Sequence, residues 1–271
     1  MIKKHNIALQ PKSPDGLVAG LIQLSKKHYP IGKNIVCYQT IDSTQSLAKE
    51  LACKTSIEGT AILSETQTKS YGRFGRNWIS PAGGVWLSVI LRPDISLSQV
   101  SKISILTCLS LCLTLERLFG MKPKIKWPND IIIKDKKAAG MILESSFKAN
   151  KLDWIVLGIG LDVNNTTTKI MGKNVTSLQK ILKYKVNRNK LIKEILIDFN
   201  KLYVNMNGKN NAYISKEYLR RSILIGKEIK VNVNGRIYSG KVDNIDVNGE
   251  LYLNNNGKFK KLTSGTVVSY S

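Results

Sequence analysis

Apolar residues along the first 220 positions alternate between short runs and helical stripes. Runs rich in β-branched residues and bounded by Gly, Pro, Asn or Asp predict strands. The predicted strands cover residues 34–41, 60–66, 85–93, 124–137, 138–147 and 154–164, with a tight turn between the fourth and the fifth. Helical spacing predicts a buried helix from about Leu97 to Phe119 and further helices at 190–205 and 213–221. Strands and helices interleaved in this order favour an α/β core.

A capped helix is predicted just after the first strand. The tripeptide Asp42-Ser43-Thr44 precedes an apolar stripe at helical spacing: Leu47, Ala48, Leu51 and Ala52. Side-chain oxygens of Ser and Asp accept hydrogen bonds from the free N–H groups of a helix start, so this tripeptide is expected to begin the helix.

From about Leu224 the pattern changes to short strands separated by Asn-Gly and Gly turns. The segments are 228–234, 236–246, 250–254, 258–264 and 266–271. Asn-Gly between two strand patterns is the strongest short-range hairpin signal, and five short strands in succession predict a small barrel. Residues 1–33 form a lead-in with one weakly amphipathic segment, Leu17 to Lys27. The predicted divisions are therefore 1–33, 34–222 and 223–271.

Charge separates this chain from an average soluble protein. Lys plus Arg number 42 and Asp plus Glu number 19, a formal net charge of +23. Such a field favours nucleic acid, acidic proteins, nucleotide phosphates or an anionic membrane surface as partners. The lysines are scattered through the whole chain, however, so a solvated surface accounts for most of them and charge alone names no partner.

Cysteine usage and the N-terminus bear on the compartment. The four cysteines stand in apolar surroundings without a CxxC pair, and His5 and His28 are the two histidines, so a zinc site is not predicted. Residues 1–16 lack the apolar core of a signal peptide. The apolar stretch 103–119 is interrupted by Ser, Glu and Arg and is typical of a buried helix. A cytoplasmic protein without a membrane span is expected.

The loop from Gln67 to Ser80 is the first candidate for chemistry. Gly72 and Gly75 allow unusual backbone torsions, while Arg73 and Arg76 supply planar donors for phosphate or carboxylate. Trp78, two residues further on, could stack on a base. The plain alternative is a basic surface turn in a basic protein. Two predicted strands flank the loop, and loops held by rigid strands commonly carry function, so a functional loop is favoured.

Three more segments carry polar residues beside buried-type ones. KWPND at 126–130 combines Lys, Asn and Asp in a manner suited to Mg²⁺ and phosphate, although Pro-Asn-Asp also makes an ordinary turn. Small residues at 138–140 would let a ligand lie close to the backbone, and Lys137 before them is otherwise one surface lysine among many. GIGLDVN at 158–164 has two glycines but neither the third glycine nor the helix of a dinucleotide fold.

Several common chemistries do not fit these residues. The two histidines lie near the N-terminus, which argues against a Ser-His-Asp triad, and GxxxxGK[ST] is missing. What remains is a site of arginines, lysines, amides and glycines, suited to polarising phosphates and orienting a reactive anhydride.

Taken in order, these segments resemble the biotin–protein ligase family. The segments are IDSTQ (41–45), the loop 67–80, KWPND (126–130), KKAAGMILE (136–144) and GIGLDVN (158–164). KWPND followed by a lysine and Ala-Gly is highly specific, and the resemblance covers about residue 34 to the end. It implies an α+β fold, with a mixed β-sheet flanked by helices as the biotin/lipoate ligase-like catalytic domain, followed by a small SH3-like β-barrel.

The resemblance implies a two-step, ATP-dependent ligase that uses Mg²⁺. Biotin, the substrate, and ATP give biotinyl-5′-AMP and pyrophosphate, and a lysine of a biotin carboxyl carrier protein or domain then attacks the mixed anhydride. Family members dimerise through sheet edges, so a homodimer is a further implied assembly. Only 42 residues precede Ser43, too few for the winged helix-turn-helix that some members carry, so specific DNA binding and repression are not expected.

The resemblance also assigns residues. Residues implied to bind biotin are Ser43, Thr44, Gln45, Gln67, Tyr71, Gly72, Arg73 and Lys137. Residues implied to bind ATP are Arg73, Arg76, Trp78, Lys126, Asn129 and Asp162. Residues implied to act in the chemistry are Arg73, Lys137, Lys126 and Asp130, and those for Mg²⁺ or the incoming lysine are Asn129 and Asp130. Lys137 matches the family lysine that contacts the biotin carboxylate and stabilises charge as it attacks the α-phosphate. Closing the loop would protect the anhydride from water.

The chain departs from the family pattern in three places. Ser70-Tyr71 stands where the loop commonly reads Gly-Arg, and the change is expected to be tolerated if position 71 contributes mainly its backbone. Gln45 replaces the more usual Asn and is one methylene longer. Asp162 stands where Asn is frequent, which puts a nucleotide contact there in question.

Three other functions compete with this interpretation. A lipoate–protein ligase shares the fold and the acyl-adenylate logic, but KWPND and the Arg73-x-x-Arg76 spacing argue against it. A basic nucleic-acid-binding protein would interleave aromatic and basic residues on its barrel strands, where Tyr238, Tyr252, Phe259 and Tyr270 are the aromatic residues. A catalytically dead homologue is suggested by the loop departures alone.

Overall fold

The computed structural model describes residues 16–24, 29–54, 57–149, 151–166, 174–208 and 210–271. Residues 1–15 and 25–28 of the lead-in lie outside the described residues, and with them the end of its amphipathic segment at Lys27 and both His5 and His28. Within the lead-in, Ala19–Ile22 forms a single helical turn, α1, whose Ile22 is buried. The divisions at 33/34 and 222/223 stay predictions.

A seven-stranded mixed sheet forms the centre of the larger part. Its strands are β1 (Asn34–Ile41), β2 (Thr60–Gln67), β3 (Val85–Leu91), β4 (Lys124–Lys126), β5 (Asp130–Ile133), β6 (Lys136–Lys148) and β7 (Lys151–Leu161). Their order is β1-β2-β3-β7-β6-β5-β4. The β1–β2 pair is parallel and the others are antiparallel, which confirms the mixed sheet.

One predicted strand is wrong. Residues 124–137 were expected to run as a single strand, but β4 ends at Lys126 and β5 begins at Asp130. Pro128 has no N–H to donate to a ladder, and the chain reverses between the two strands, which pair antiparallel. The Trp127–Pro128 peptide bond is cis. The tight turn lies earlier than predicted, at Lys134 and Asp135, which both have positive φ. Lys137 therefore belongs to β6 and faces Ile132 of β5.

Helices cover both faces of this sheet. They are α2 (Thr44–Cys53), α3 (Lys102–Phe119), α4 (Leu178–Leu182), α5 (Arg188–Tyr203) and α6 (Asn211–Arg221). The start predicted for the long helix, Leu97, instead opens a separate 3₁₀ turn, Leu97–Gln99. On one face α2 packs against Ile62, Ile90 and Val156, and on the other α3 and α5 cover a larger core.

Helix α3 is the main core helix. Among the described residues, Leu97–Phe119 is the one helical segment long and apolar enough to cross a membrane by length and composition, and about two-thirds of its α3 part is buried inside the fold. It packs against α5 and α6. Burial of this kind is expected of a core helix, as the sequence predicted.

The five C-terminal strands form a second, wholly antiparallel sheet. They are β8 (Glu228–Val233), β9 (Arg236–Ile245), β10 (Leu251–Asn255), β11 (Lys258–Leu262) and β12 (Thr266–Tyr270), in the order β11-β10-β9-β8-β12. Two of the three Asn-Gly turns, at 234–235 and 256–257, have positive φ at both residues, as two-residue hairpin loops require, whereas at 248–249 only the glycine does. This is the sheet of an SH3-like domain. It touches the core where the indole N–H of buried Trp127 donates to the carbonyl of Gly249 at 2.8 Å.

Candidate active site

A cavity of about 500 Å³ opens on the sheet face formed by β3, β6 and β7, beneath the loop 67–80. The C-terminal sheet closes one side of it through residues 265–267. Every site residue predicted from the sequence lines this cavity: Ser43, Thr44, Gln45, Gln67, Tyr71, Gly72, Arg73, Arg76, Trp78, Lys126, Asn129, Asp130, Lys137 and Asp162. A more open groove of about 610 Å³ runs along residues 66–71 and 77–81 of the same loop.

One end of the cavity is neutral and closely hydrogen-bonded. Ser43 caps α2 as predicted, accepting from the Ser46 N–H at 3.2 Å. The next residue, Thr44, donates its N–H to Gln67 Oε1 at 2.7 Å, and its hydroxyl lies 2.9 Å from that of Ser88. Ser88 donates in turn to Gln45 Oε1 at 3.0 Å. We call Thr44, Gln45, Gln67 and Ser88 the amide cluster.

Gln45 is held on every side within this cluster. Its amide nitrogen donates to Glu144 Oε2 at 2.9 Å and to the carbonyl of Val156 at 3.1 Å. Both amide hydrogens are thereby used, so the biotin contact implied for Gln45 stays a prediction. Gly158 makes room for the amide, since a Cβ there would lie 2.6 Å from Gln45 Oε1.

Two residues of this end were missed from the sequence. Ser88 stands inside the otherwise apolar run VWLSVIL and is 1% exposed. The sequence feature that could have identified Ser88 is a single hydroxyl in a predicted buried strand, because a buried hydroxyl needs a hydrogen-bond partner. Glu144 closes the motif KKAAGMILE, and its signal was a carboxylate at the end of an apolar run.

The loop itself is closed by side-chain and backbone hydrogen bonds. The Ser70 hydroxyl donates to the Trp78 carbonyl at 2.5 Å and lies 2.8 Å from that of Ser80, so serine ties the base of the loop together. Gly75 has φ +69°, as predicted, but Gly72 does not adopt a left-handed torsion. The second left-handed residue is Phe74, with φ 59° and a side chain 62% exposed.

The side chain of Tyr71 makes a contact of its own. The departure at this position was expected to be tolerated if it contributed mainly its backbone, but the Tyr71 hydroxyl donates to Glu144 Oε2 at 3.0 Å. The ring lies beneath the Lys49 ammonium, 5.3 Å from nitrogen to ring centre. Position 71 therefore contributes a specific side-chain contact besides its backbone.

The other end of the cavity is cationic, and its two arginines are held by neutral hydrogen-bond acceptors. Arg73 donates to Asn129 Oδ1 and to the carbonyl of Gly265, both at 3.1 Å. Arg76 donates to the Thr266 hydroxyl at 2.8 Å. Burial lowers the pKa of Arg73 from its usual value, but the guanidinium remains charged at neutral pH. Loop and C-terminal sheet are thus joined through the two arginines.

Two lysines complete this end. The Lys137 ammonium lies 2.6 Å from Asp130 Oδ1, an ion pair between two of the predicted residues. The Lys126 ammonium lies 5.0 Å from the centre of the Tyr270 ring. We call Arg73, Arg76, Lys126 and Lys137 the cationic group.

Trp78 lies flat against the floor between the two ends. A Cβ on Gly160 would approach its ring to 2.6 Å and one on Gly140 to 3.0 Å, so both glycines are required by the indole. The sequence predicted that the small residues 138–140 leave room for a ligand, but this ring takes part of that room at Gly140. The indole N–H is buried and has no hydrogen-bond partner among the described residues, while the Lys137 ammonium lies 5.1 Å from the ring centre.

Asp162 is the buried acid of the site, 3% exposed. Its Oδ1 accepts from the Asn165 amide at 2.7 Å. Burial raises its pKa to about 6, opposed by the Asn165 hydrogen bond and by the positive charge of Lys137. No group of three or more His, Cys, Asp or Glu that could hold a metal occurs within the described ranges.

Comparison with known proteins places this site in a family. Residues 36–162 match the Biotin/lipoate A/B protein ligase family. The bifunctional ligase/repressor BirA of Bacillus subtilis is 32% identical over 261 residues, which span 94% of this chain and 80% of that protein. A biotin--[acetyl-CoA-carboxylase] ligase of Mycobacterium tuberculosis is 27% identical, over 86% of this chain and 87% of its own.

A solved structure agrees with these relatives. The biotin protein ligase of Aquifex aeolicus, in complex with biotin and ATP, superposes with a TM-score of 0.72 at 25% identity, over 88% of this chain and 99% of its own. A relative that is 32% identical along four-fifths of its own length establishes kinship over catalytic core and C-terminal sheet together. The chain therefore belongs to the biotin–protein ligase family.

Proposed function

We propose that this protein activates biotin with ATP as biotinyl-5′-AMP and transfers the biotinyl group to a lysine of a biotin carboxyl carrier domain. The observation that carries the proposal is one cavity with a neutral hydrogen-bonding end and a cationic end. The relative from Aquifex aeolicus is described in complex with biotin and ATP, a neutral ring system and a polyanion. Two such ligands suit the two ends of this cavity.

In the first step the neutral end holds the ureido ring and directs the biotin carboxylate toward Lys137. The carboxylate oxygen attacks the α-phosphorus of ATP, a P–O bond forms, and pyrophosphate leaves. Lys137 is 2.6 Å from Asp130 before the reaction and would exchange that partner for the phosphate oxygens. Arg73, Arg76 and Lys126 would hold the remaining phosphate charge, because fixed cations stabilise charge that develops in the transition state.

In the second step the amine of the acceptor lysine attacks the acyl carbon of the anhydride, and AMP leaves. Once Lys137 has turned toward phosphate, the Asp130 carboxylate is free to accept the proton of the amine. Arg73 and Arg76, bonded to Gly265 and Thr266, keep the loop against the C-terminal sheet. That closure excludes water, which would otherwise hydrolyse the anhydride.

The residues present fit a nucleotide-borne magnesium ion. Asp130 offers one carboxylate and Asn129 one amide oxygen, and Mg²⁺ usually takes one or two carboxylates together with substrate phosphates. Both oxygens now bind cationic side chains, those of Lys137 and Arg73. A bound Mg²⁺ supplies positive charge to the phosphates.

Partner and compartment are proposed on the same grounds. Relatives named biotin--[acetyl-CoA-carboxylase] ligase support a carboxyl carrier domain as acceptor. The four cysteines, all in the described part of the chain, are free thiols, which suits a reducing cytoplasm. A homodimer and the lack of specific DNA binding stay predictions, to be checked by sedimentation and by DNA titration.

Biotin-dependent ATP–pyrophosphate exchange with Mg²⁺ tests the function. We expect exchange that requires biotin, is not supported by lipoate, and leads to a labelled carrier domain that avidin captures. Exchange supported by lipoate alone would make the protein a lipoate–protein ligase. No exchange with either acid would leave a dead homologue or a basic binding protein.

A further inference from the structure

Glu144 collects three donors, two from helix α2 and one from the loop 67–80. Its Oε1 pairs with the Lys49 ammonium at 2.6 Å, and its Oε2 accepts from Gln45 at 2.9 Å and from the Tyr71 hydroxyl at 3.0 Å. Gln45 and Lys49 lie one turn apart on α2, Glu144 lies on β6, and Tyr71 belongs to the loop. A single carboxylate thus joins helix, sheet and loop.

The reaction proposed above gives Glu144 and Lys49 no chemical role. Neither side chain is among the described residues that line the cavity, whereas Gln45 and Tyr71 both are. Glu144 and Lys49 therefore stand behind two residues that face the ligand. Charge-assisted hydrogen bonds such as Tyr71 to Glu144 are stronger than neutral ones and fix the donor in place.

The loop is held at two points along its length. Arg73 and Arg76 bind the C-terminal sheet, while Tyr71 binds Glu144 on the central sheet. The Lys49 ammonium lies over the face of the Tyr71 ring, so it contacts both partners of the second attachment.

We propose that Glu144 and Lys49 are positioning residues that latch Tyr71, and with it the loop, over the biotin end of the cavity, and that this latch sets how long the adenylate is retained. The retention part rests on the proposed function. The latch itself is a property of the ligand-free protein.

The latch is tested first without substrates, by trypsin digestion of the full chain. Trypsin cuts after Lys69, Arg73 and Arg76, which all lie in the loop, and mass spectrometry separates these cuts from others. We expect Tyr71→Phe and Glu144→Gln to raise the rate of loop cleavage roughly tenfold, as loss of one hydrogen bond to a charged group gives. Equal cleavage rates in native protein and both variants would overturn the latch.

Coupling between the two partners distinguishes a latch from two independent effects. The double variant Tyr71→Phe/Glu144→Gln is expected to be cleaved no faster than the quicker single variant, since both changes break the same contact. If the two increases in cleavage rate multiplied in the double variant, the pairing of Tyr71 with Glu144 would be overturned. Lys49→Met is expected to give roughly a threefold increase, since its ion pair is partly exposed. The matched control is Lys54→Met, which removes an exposed ion pair with Glu50 on the same helix and should leave loop cleavage unchanged.

Retention of biotinyl-AMP is then followed by its rate of loss from the isolated complex. In Glu144→Gln we expect that rate to rise roughly tenfold while pyrophosphate exchange falls far less, because the reacting groups are untouched. A fall in exchange without faster loss would overturn the retention role. If the native protein formed no adenylate, the proposed function would fail, whereas the trypsin result would still decide the latch.

Discussion

The two ends of the cavity are built on opposite principles. In the amide cluster, neutral groups satisfy one another, as when Thr44 and Gln45 bond to Ser88. In the cationic group, the charges rest on partners that a substrate must replace: Lys137 on Asp130, and Arg73 on Asn129. The polar groups of the neutral end are hydrogen-bonded to one another before any ligand binds, whereas those of the cationic end are bound to partners that a ligand would replace.

This difference follows from what each end has to recognise. A buried polar network is stable only when nearly every member is satisfied, so an end that binds an uncharged ring is ordered in advance. The four side chains of the cationic group repel one another, so anionic and amide partners hold them until a phosphate binds. Substitutions at the neutral end should therefore weaken biotin binding, and those at the cationic end should slow the chemistry.

Lys137→Ala should give the largest effect. Removing a cation that stabilises developing phosphate charge is expected to lower the rate of biotin-dependent exchange by about 100-fold or more. The control is Lys136→Ala, because its side chain points to the opposite face of β6 and does not line the cavity. An Lys137→Ala protein with near-native exchange would remove this lysine from the adenylation step.

Ser88→Ala tests the neutral end and should have a smaller effect of a different kind. It leaves Thr44 and Gln45 each without one hydrogen bond, so the KM for biotin should rise roughly tenfold, with the KM for ATP unchanged. Ser64→Ala is the matched control, since Ser64 is a fully buried serine of β2 that donates to the Thr66 carbonyl outside the cavity. If both KM values rose together, the two ends could not be separate in function.

The contrast between the ends also explains what the sequence could and could not predict. Charged residues such as Arg73 in the loop and Lys137 on β6 are conspicuous, because a motif with a lysine, an arginine or a glycine pair can be found by inspection. Ser88 was not found, since its role depends on hydrogen bonds to Thr44 and Gln45 of α2, which only the folded structure brings next to this strand. Glu144 was not found either, because its partners come from positions 45, 49 and 71.

The sequence pattern predicted the fold correctly where neighbouring residues alone determine the structure. Asn-Gly turns gave the C-terminal hairpins correctly, and Ser43 caps α2 as expected. The break between β4 and β5 was missed because a run of three isoleucines masked the turn before it. The contact of the Trp78 ring with Gly140 and Gly160 could not be predicted either, since these residues lie 62 and 82 positions away and meet the ring only through the order of strands in the sheet.

Asp162→Asn should change activity least and stability measurably. Burial raises the pKa of Asp162 from 3.8 to about 6, so this carboxyl group ionises at a higher pH in the folded state than in the unfolded state. The native protein therefore loses stability from this group as pH rises from about 4 to about 6, and the loss is complete above that. Asparagine removes the charge and keeps an oxygen for Asn165. The variant should gain up to about 3 kcal/mol above pH 6, a ceiling set by 1.36 kcal/mol per pKa unit.

Thermal melting of both proteins between pH 4.5 and 7.5 checks the sign. The difference in Tm, variant minus native, should be small at pH 4.5, grow to about pH 6 and then stay level. Asp153→Asn is a control of opposite sign, because hydrogen bonding to Lys148 and Arg92 lowers the pKa of Asp153. That variant should melt below the native protein at neutral pH, with the difference shrinking as pH falls. A Tm difference between Asp162→Asn and the native protein that did not change with pH would contradict this prediction. It would mean that a neighbouring cation pairs with the Asp162 carboxylate, as Lys137 pairs with Asp130, and that the cationic group contains a second exchangeable ion pair.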